Sequence, residues 1–334
     1  MPHIVHHDRL PDAAAATLRE VAAQLRSWQG PIVLLGHVDP DGDAVGSVLT
    51  VARALRRLGK TVVAPITPPR FLEFLARPSE LSEPLEALPE GALVVMLDGE
   101  ASRATGAPLE GAAYLVNLDH HPGNAGDADL SLVLPELAAT AVLVKHLIDT
   151  LGLRWDAELA TPCLCGILTD TGNFRFANTD RHTLHVAGEL LEAGVDYDDL
   201  NDRLLWRHPS YFERLAEVLA TVRFELGGAL VSIHQTNAMR QRFQGGDDDS
   251  DDFVSVVRYA EGTLVAAYLR ELDGDVKISL RSRTPFSARR VCSELGGGGH
   301  EVAAGARLVG VTLEEARARL LTAAAAELER STGR

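Results

Sequence analysis

The chain has 334 residues, 46% apolar and 24% charged, the balance of a soluble globular protein long enough for about two domains with a core each. A net charge of −15 argues against broad, non-specific binding of duplex DNA but leaves room for a small anionic substrate beside bound cations. No apolar run is long enough to cross a bilayer, the first residues lack a signal peptide's layout, and three cysteines imply no disulfide framework, so no membrane and a cytoplasmic location are expected.

In chain order, apolar residues at helical spacing (Leu18, Val21, Ala22, Leu25, Trp28) predict a helix over 12–28 that stops at Gly30. Pro31 and the apolar run 32–35 read as a short strand buried on both faces, as in a parallel sheet. His37, Asp39, Asp41 and Asp43 follow within seven residues, and 44–58 reads as the next helix, with Gly59 in its stop position. Further strands are predicted at 61–66, at 92–97 ending in Asp98, and at 113–118 ending in Asp119-His120-His121-Pro122. Helical patterns return at 135–151 and 156–169, the second ending in Thr169-Asp170-Thr171-Gly172. Alternating strands and helices predict a doubly wound, mostly parallel α/β sheet.

Residues 180–220 read as helical, interrupted by Pro209, with 211–220 as a connecting helix. From 221 the character changes. Alternating stretches at 222–233, 264–269 and 276–280 read as strands, 286–294 as a helix leading into Gly296–Gly299 and His300, and 312–329 as a last helix. The expected organisation is therefore a catalytic domain over 1–200, a helical linker over 201–220, and a smaller α+β domain over 221–334. Cys163 and Cys165, in an apolar stretch, read as buried thiols. Asp247, Asp248, Asp249, Asp251 and Asp252 read as a solvated loop, and His3, His6 and His7 as a solvated tip. The same solvated reading is given to His146, His182, His185, His208 and His234. Trp155 and Trp206 are expected in core or interdomain packing.

Three strand ends and one helix end thus carry groups that bind metals. One such loop is commonly only a solvated turn; four on what should be one edge of a sheet are harder to dismiss, because ligands bind at the carboxyl ends of parallel strands. Carboxylates and imidazoles so crowded would repel one another unless cations neutralised them, and this donor set suits Mn, Zn, Fe or Mg. There are ligands enough for two ions, and a pair about 3.5–4 Å apart serves in-line displacement at phosphorus, with a hydroxide between them as nucleophile.

Taken together, His37-Val-Asp-Pro-Asp41-Gly-Asp43-Ala-Val-Gly-Ser47, Asp98, Asp119-His120-His121 and Asp170-Thr-Gly resemble the four motifs of the DHH phosphoesterases. Ser279-Leu280-Arg281-Ser282, Gly296–His300 and Ala303-Ala304-Gly305 resemble the DHH-associated domain of its nanoRNase and pAp-phosphatase branch. The resemblance covers nearly the whole chain. It implies that His37, Asp41 and Asp98 hold one Mn2+ and that Asp43, Asp98, His120 and Asp170 hold a second, with Asp98 bridging; Mg2+ or Co2+ could substitute. His121 would stand by the scissile phosphate, Asp119 would orient its neighbours, and Asp39 would support a ligand rather than bind an ion. In the second domain Arg281, Ser282, His300 and the backbone of Gly297, Gly298 and Gly299 would hold the rest of the substrate, as an anion nest does. Arg103 could reach a phosphate or stand on the surface. Phe174, Arg175 and Phe176 could stack a base, or pack in the core.

The function the resemblance implies is hydrolysis of very short RNA oligonucleotides to mononucleotides and removal of the 3′-phosphate from pAp. Its rivals are hydrolysis of linear or cyclic dinucleotides, inorganic pyrophosphatase activity, a long-chain single-strand exonuclease, and a metal-free nucleotide sensor. A homodimer is possible. The smaller domain is expected to close over the nucleotide end of the substrate.

Overall fold

The computed structural model describes residues 10–242 and 253–332; the histidines at 3, 6 and 7 and the aspartates at 247–252 lie outside them. The chain divides into two compact units, one ending at Trp206 and one starting at Arg207.

In the first unit, helix α1 (Asp12–Ser27) leads to β1 (Ile32–Leu35), α2 (Gly42–Arg57), β2 (Val62–Val63), β3 (Leu93–Leu97), β4 (Tyr114–Asp119) and β5 (Leu130–Val133). Helices α3 (Thr140–Thr150), α4 (Ala157–Asp170), α5 (Arg181–Glu192) and α6 (Tyr197–Leu205) follow. The strands form one sheet in the order β2-β1-β3-β4-β5, every pair parallel. All nine residues of β1 and β3 are buried, as their unbroken apolar sequence requires. Ile32, Leu34, Leu93, Val95 and Leu97 point into the larger core with α1 to α4, while Val33, Leu35, Val94 and Met96 meet loop residues such as Leu85, Leu88 and Leu109. The order reverses direction between β1 and β3, the place in such sheets where strand ends open onto a ligand.

Helix α4 lies against α2 at unusually close range. A Cβ on Gly46 would stand 2.2 Å from the carbonyl oxygen of Pro162, so only glycine admits the approach. Pro162 inside α4 lacks the N–H that would bond to the carbonyl of Glu158. That carbonyl instead accepts from Arg53 Nη1 at 2.7 Å, and Arg53 also forms a forked pair with Glu80. Cys163 and Cys165 are buried and free, and burial pushes both thiols up, as a core role requires.

The second unit contains α7 (Pro209–Leu219), β6 (Arg223–Glu225), β7 (Leu230–Gln235), α8 (Asn237–Arg242), α9 (Phe253–Val257), β8 (Val265–Leu272), β9 (Asp275–Ser282), α10 (Ala288–Glu294), β10 (Gly298–His300), β11 (Ala303–Val309) and α11 (Leu313–Thr332). Its sheet runs β10-β11-β9-β8-β7-β6, antiparallel except for β7 with β8. Helices α10 and α11 pack on one face, around Leu280, Phe286 and Leu320, and α7 and α9 on the other, around Tyr211, Phe253 and Tyr268. Helix α7, which reads in the sequence as a connector, therefore belongs to this unit's core. Among the described residues no helix is long and apolar enough to cross a membrane.

Three expectations are corrected. His146 and His182 are not solvated: their Nε2 atoms face one another at 3.0 Å, with His182 8% exposed, because α3 and α5 pack side by side. His234 is likewise half-buried beside Arg317. Trp206 is 64% exposed rather than in a core.

Candidate metal centre

Five elements, β1, α2, β3, β4 and α4, deliver the site. Leaving β1, His37 is 8% exposed, its place held by a bridge to Ala104. The imidazole Nδ1 donates to the Val38 carbonyl at 2.7 Å, which turns Nε2 towards Asp98 Oδ2 at 3.5 Å and Asp41 Oδ1 at 3.8 Å. Asp41 is the N-cap of α2 and accepts from the amides of Asp43 and Ala44. In the first turn of that helix Asp43 is fully buried, and its carboxylate accepts from Thr140 N at 2.6 Å, Ala141 N at 2.8 Å and Ser47 Oγ at 3.3 Å.

At the end of β3, Asp98 takes a left-handed backbone conformation (φ 62°), uncommon for a residue other than glycine and a mark of functional sites. At the end of β4, His120 donates from Nδ1 to the Leu137 carbonyl at 3.2 Å and aims Nε2 inward. That nitrogen is buried and has no hydrogen bond of good geometry, although Asp170 Oδ2, Asp98 Oδ1 and Asp43 Oδ2 face it at 3.1, 3.6 and 3.9 Å. A buried lone pair among three carboxylates is the arrangement a divalent cation satisfies, and both imidazoles donate their other nitrogen to a backbone carbonyl as metal-bound histidines do. His37, Asp41 and Asp98 form one group able to hold an ion, and Asp43, His120 and Asp170 another; Asp98, His120 and His121 form a third overlapping them.

His121 differs from its neighbour. Its Nδ1 donates to the Asp119 carboxylate, at 2.8 Å from Oδ1, where the other two imidazoles donate to backbone carbonyls. Asp119 is held in turn by Asn124 Nδ2 on its other oxygen at 2.7 Å, and Asn124 also meets Asn117 and the Gly99 carbonyl.

The electrostatics show how much positive charge the cluster lacks. Burial and then the carboxylates of Asp98, Asp170 and Asp41 push Asp43 well above the usual carboxylate range. Burial also raises Asp170, to about 6, though His120 opposes the shift. His37 resists burial because Asp41 and Asp98 face it, and rises to about 10; His120, facing Asp170 and Asp98 against the same burial, rises to about 9. His121 is raised chiefly by Asp119. Every one of these shifts favours the protonated form, the response of a cluster short of positive charge.

Other expected residues fall elsewhere. Asp39 is exposed, left-handed (φ 58°) and outside all three metal-capable groups. Arg103 is exposed, and its carbonyl accepts from Val38 N beside His37. Phe174 packs against the larger core, whereas Phe176 is 41% exposed with its ring over Gly172. In the second unit, register aligns His300 with Ala303 and Ala303 with Arg281, so both basic residues share one face of the sheet. Ser282 lies on the opposite face, fully buried, its hydroxyl donating to the Phe286 carbonyl at 2.8 Å. That hydroxyl is committed to the core, against the expectation that it binds substrate. The Gly297–Gly299 stretch, read as an anion-binding loop, contributes Gly298 and Gly299 to an edge strand; a Cβ at Gly299 would meet Ala304 at 2.6 Å.

The N-terminal domain of the DHH family matches residues 31–167, and the DHHA1 domain matches 241–330. The bifunctional oligoribonuclease and PAP phosphatase NrnA of Thermus thermophilus is 50% identical over 94% of this chain and 95% of its own length. The chain belongs to the DHH family. NrnA of Bacillus subtilis is 26% identical over 83% of this chain and 89% of its own length. An exopolyphosphatase-related protein from Bacteroides fragilis shares the fold, with a TM-score of 0.84 at 24% identity, covering 95% of this DHH chain and 98% of the other. An exonuclease RecJ bound to manganese superposes more loosely, with a TM-score of 0.54 at 18% identity over 92% of this chain and 94% of that one.

Thr140, which holds Asp43 and Asp98, and Asn124, which holds Asp119 and is itself met by Asn117, escape the sequence reading. The signal for Thr140 was faint: helix α3 starts after Ala139, which offers no side-chain cap.

Proposed function

We propose that the chain is a Mn2+-dependent phosphoesterase that hydrolyses very short RNA oligonucleotides to mononucleotides and removes the 3′-phosphate from pAp. The observation that carries this reading is the pair of adjoining groups, His37, Asp41 and Asp98 beside Asp43, His120 and Asp170, with Asp98 also facing the buried, unsatisfied His120 Nε2. Identity of 50% to an oligoribonuclease and PAP phosphatase supports the substrate class.

His37, Asp41 and Asp98 would hold one ion, and Asp43, Asp98, His120 and Asp170 the other, with Asp98 shared. When bound, such a pair neutralises charge on the phosphate and makes an attacking water more acidic. The chain's own residues do the rest. Asp119 fixes the His121 ring through Nδ1, and His121 would hold or release a proton at the substrate phosphate. Arg281 and His300, on one sheet face, would take the non-scissile part of the substrate, beside the outward main-chain groups of edge strand β10.

The test is product analysis with Mn2+ on pAp, RNA dinucleotides, longer RNA, cyclic dinucleotides and pyrophosphate side by side. AMP from pAp and mononucleotides from dinucleotides are expected. Turnover confined to pyrophosphate, cyclic dinucleotides or long RNA would overturn the proposal.

A further inference from the structure

Thr140 opens α3 and is fully buried, with both of its donors aimed at the metal-capable carboxylates. Its amide donates to Asp43 Oδ2 at 2.6 Å and its hydroxyl to Asp98 Oδ1 at 3.0 Å, reaching 97 and 42 residues along the chain. The next amide, of Ala141, reaches Asp43 Oδ1. Asp43 thus caps α3 in place of Ala139. The hydroxyl acts on the other carboxylate. A hydroxyl has one proton to donate, and here it is given to Asp98 Oδ1.

Asp98 Oδ1 faces His120 Nε2 and His121 Nδ1 at 3.6 and 3.7 Å, while Oδ2 faces His37 Nε2 at 3.5 Å. A carboxylate can serve two ions only if each oxygen keeps to its own side. The Thr140 hydroxyl donates to Oδ1, the oxygen on the His120 side, while His37 faces Oδ2. We infer that Thr140 is a positioning residue that fixes the rotation of the Asp98 carboxylate, so that one oxygen serves each ion site. The inference deepens the two-ion reading above and rests on it.

The test uses the full chain, titrated with Mn2+ and followed by the paramagnetic signal of the free ion, with kcat and KM on pAp measured alongside. Thr140→Val keeps the branched shape and the amide to Asp43 but removes the hydroxyl. The wild-type chain is expected to bind two ions; Thr140→Val should weaken the second by about 10–100-fold and lower kcat with KM little changed, and Thr140→Ser should restore both. Should the valine variant fail to fold by circular dichroism, Thr140→Ala carries the same expectations without the added methyl. Wild-type binding of both ions by the hydroxyl-free variant would overturn the positioning role alone. A wild-type chain that binds fewer than two ions would overturn the two-ion reading and this inference with it.

Discussion

His37 and His120 are held protonated up to about 10 and 9 by carboxylates that outweigh the cost of burial. An ion must therefore displace protons from these nitrogens, since only the neutral imidazole binds metal. The sign follows directly. Below pH 9 the metal-free histidines carry protons that binding expels, so Mn2+ affinity should rise as pH increases from 6 towards 9. Calorimetry in buffers of different ionisation enthalpy should register proton release at pH 7; binding without it would contradict the arrangement. At the same scale, the Asn124 side chain reaches the His121 ring through Asp119. Asn124→Ala should lower kcat by about 10–100-fold while leaving the Mn2+ titration unchanged, and a parallel loss of metal would place Asn124 in a different role.

At the scale of elements, the site depends on how closely two helices can lie. Asp43 stands in the first turn of α2 and Asp170 at the last residue of α4, and both face His120. Gly46 and Gly166 permit this, for a Cβ at Gly166 would come within 2.7 Å of Asp43 Oδ1 and one at Gly46 within 2.2 Å of a backbone oxygen. Gly46→Ala should therefore destabilise the first unit by about 1–3 kcal/mol, as overpacking does, and weaken Mn2+ binding at the same time. Thermal melts of the metal-free protein and a metal titration check both halves. A melt unchanged beside intact binding would show that the helices can part without cost.

Over the whole molecule, the ion-binding groups belong to the unit that ends at Trp206, and Arg281 and His300 to the unit that begins at Arg207. That division predicts separable defects. His300→Ala should raise KM for pAp by roughly 10–100-fold, the worth of a hydrogen bond to a charged group, and leave the Mn2+ titration as in the wild type. An unchanged KM, or lost metal binding, would contradict the division.

The chemistry of the site was legible in residues 37–43, 98, 119–121 and 170 because apolar strands that end in acids and imidazoles leave a pattern in the chain itself. The runs at 32–35 and 93–97 were legible as parallel strands because burial on both faces leaves them wholly apolar, and 114–118 because it is apolar but for Tyr114 and Asn117. Short β5 and the glycine-bearing strand β10 were not, since four residues and three are too few to show a period, and pairing with neighbours decides their conformation. Ser282 reads as a binding residue by its neighbours in sequence, yet strand alternation turns it into the core. Residue type and spacing thus determined which groups could bind ions. Which groups hold those carboxylates in place was decided by the tertiary structure, because Thr140 and Asn124 act through single hydrogen bonds to partners that only folding brings within 3 Å.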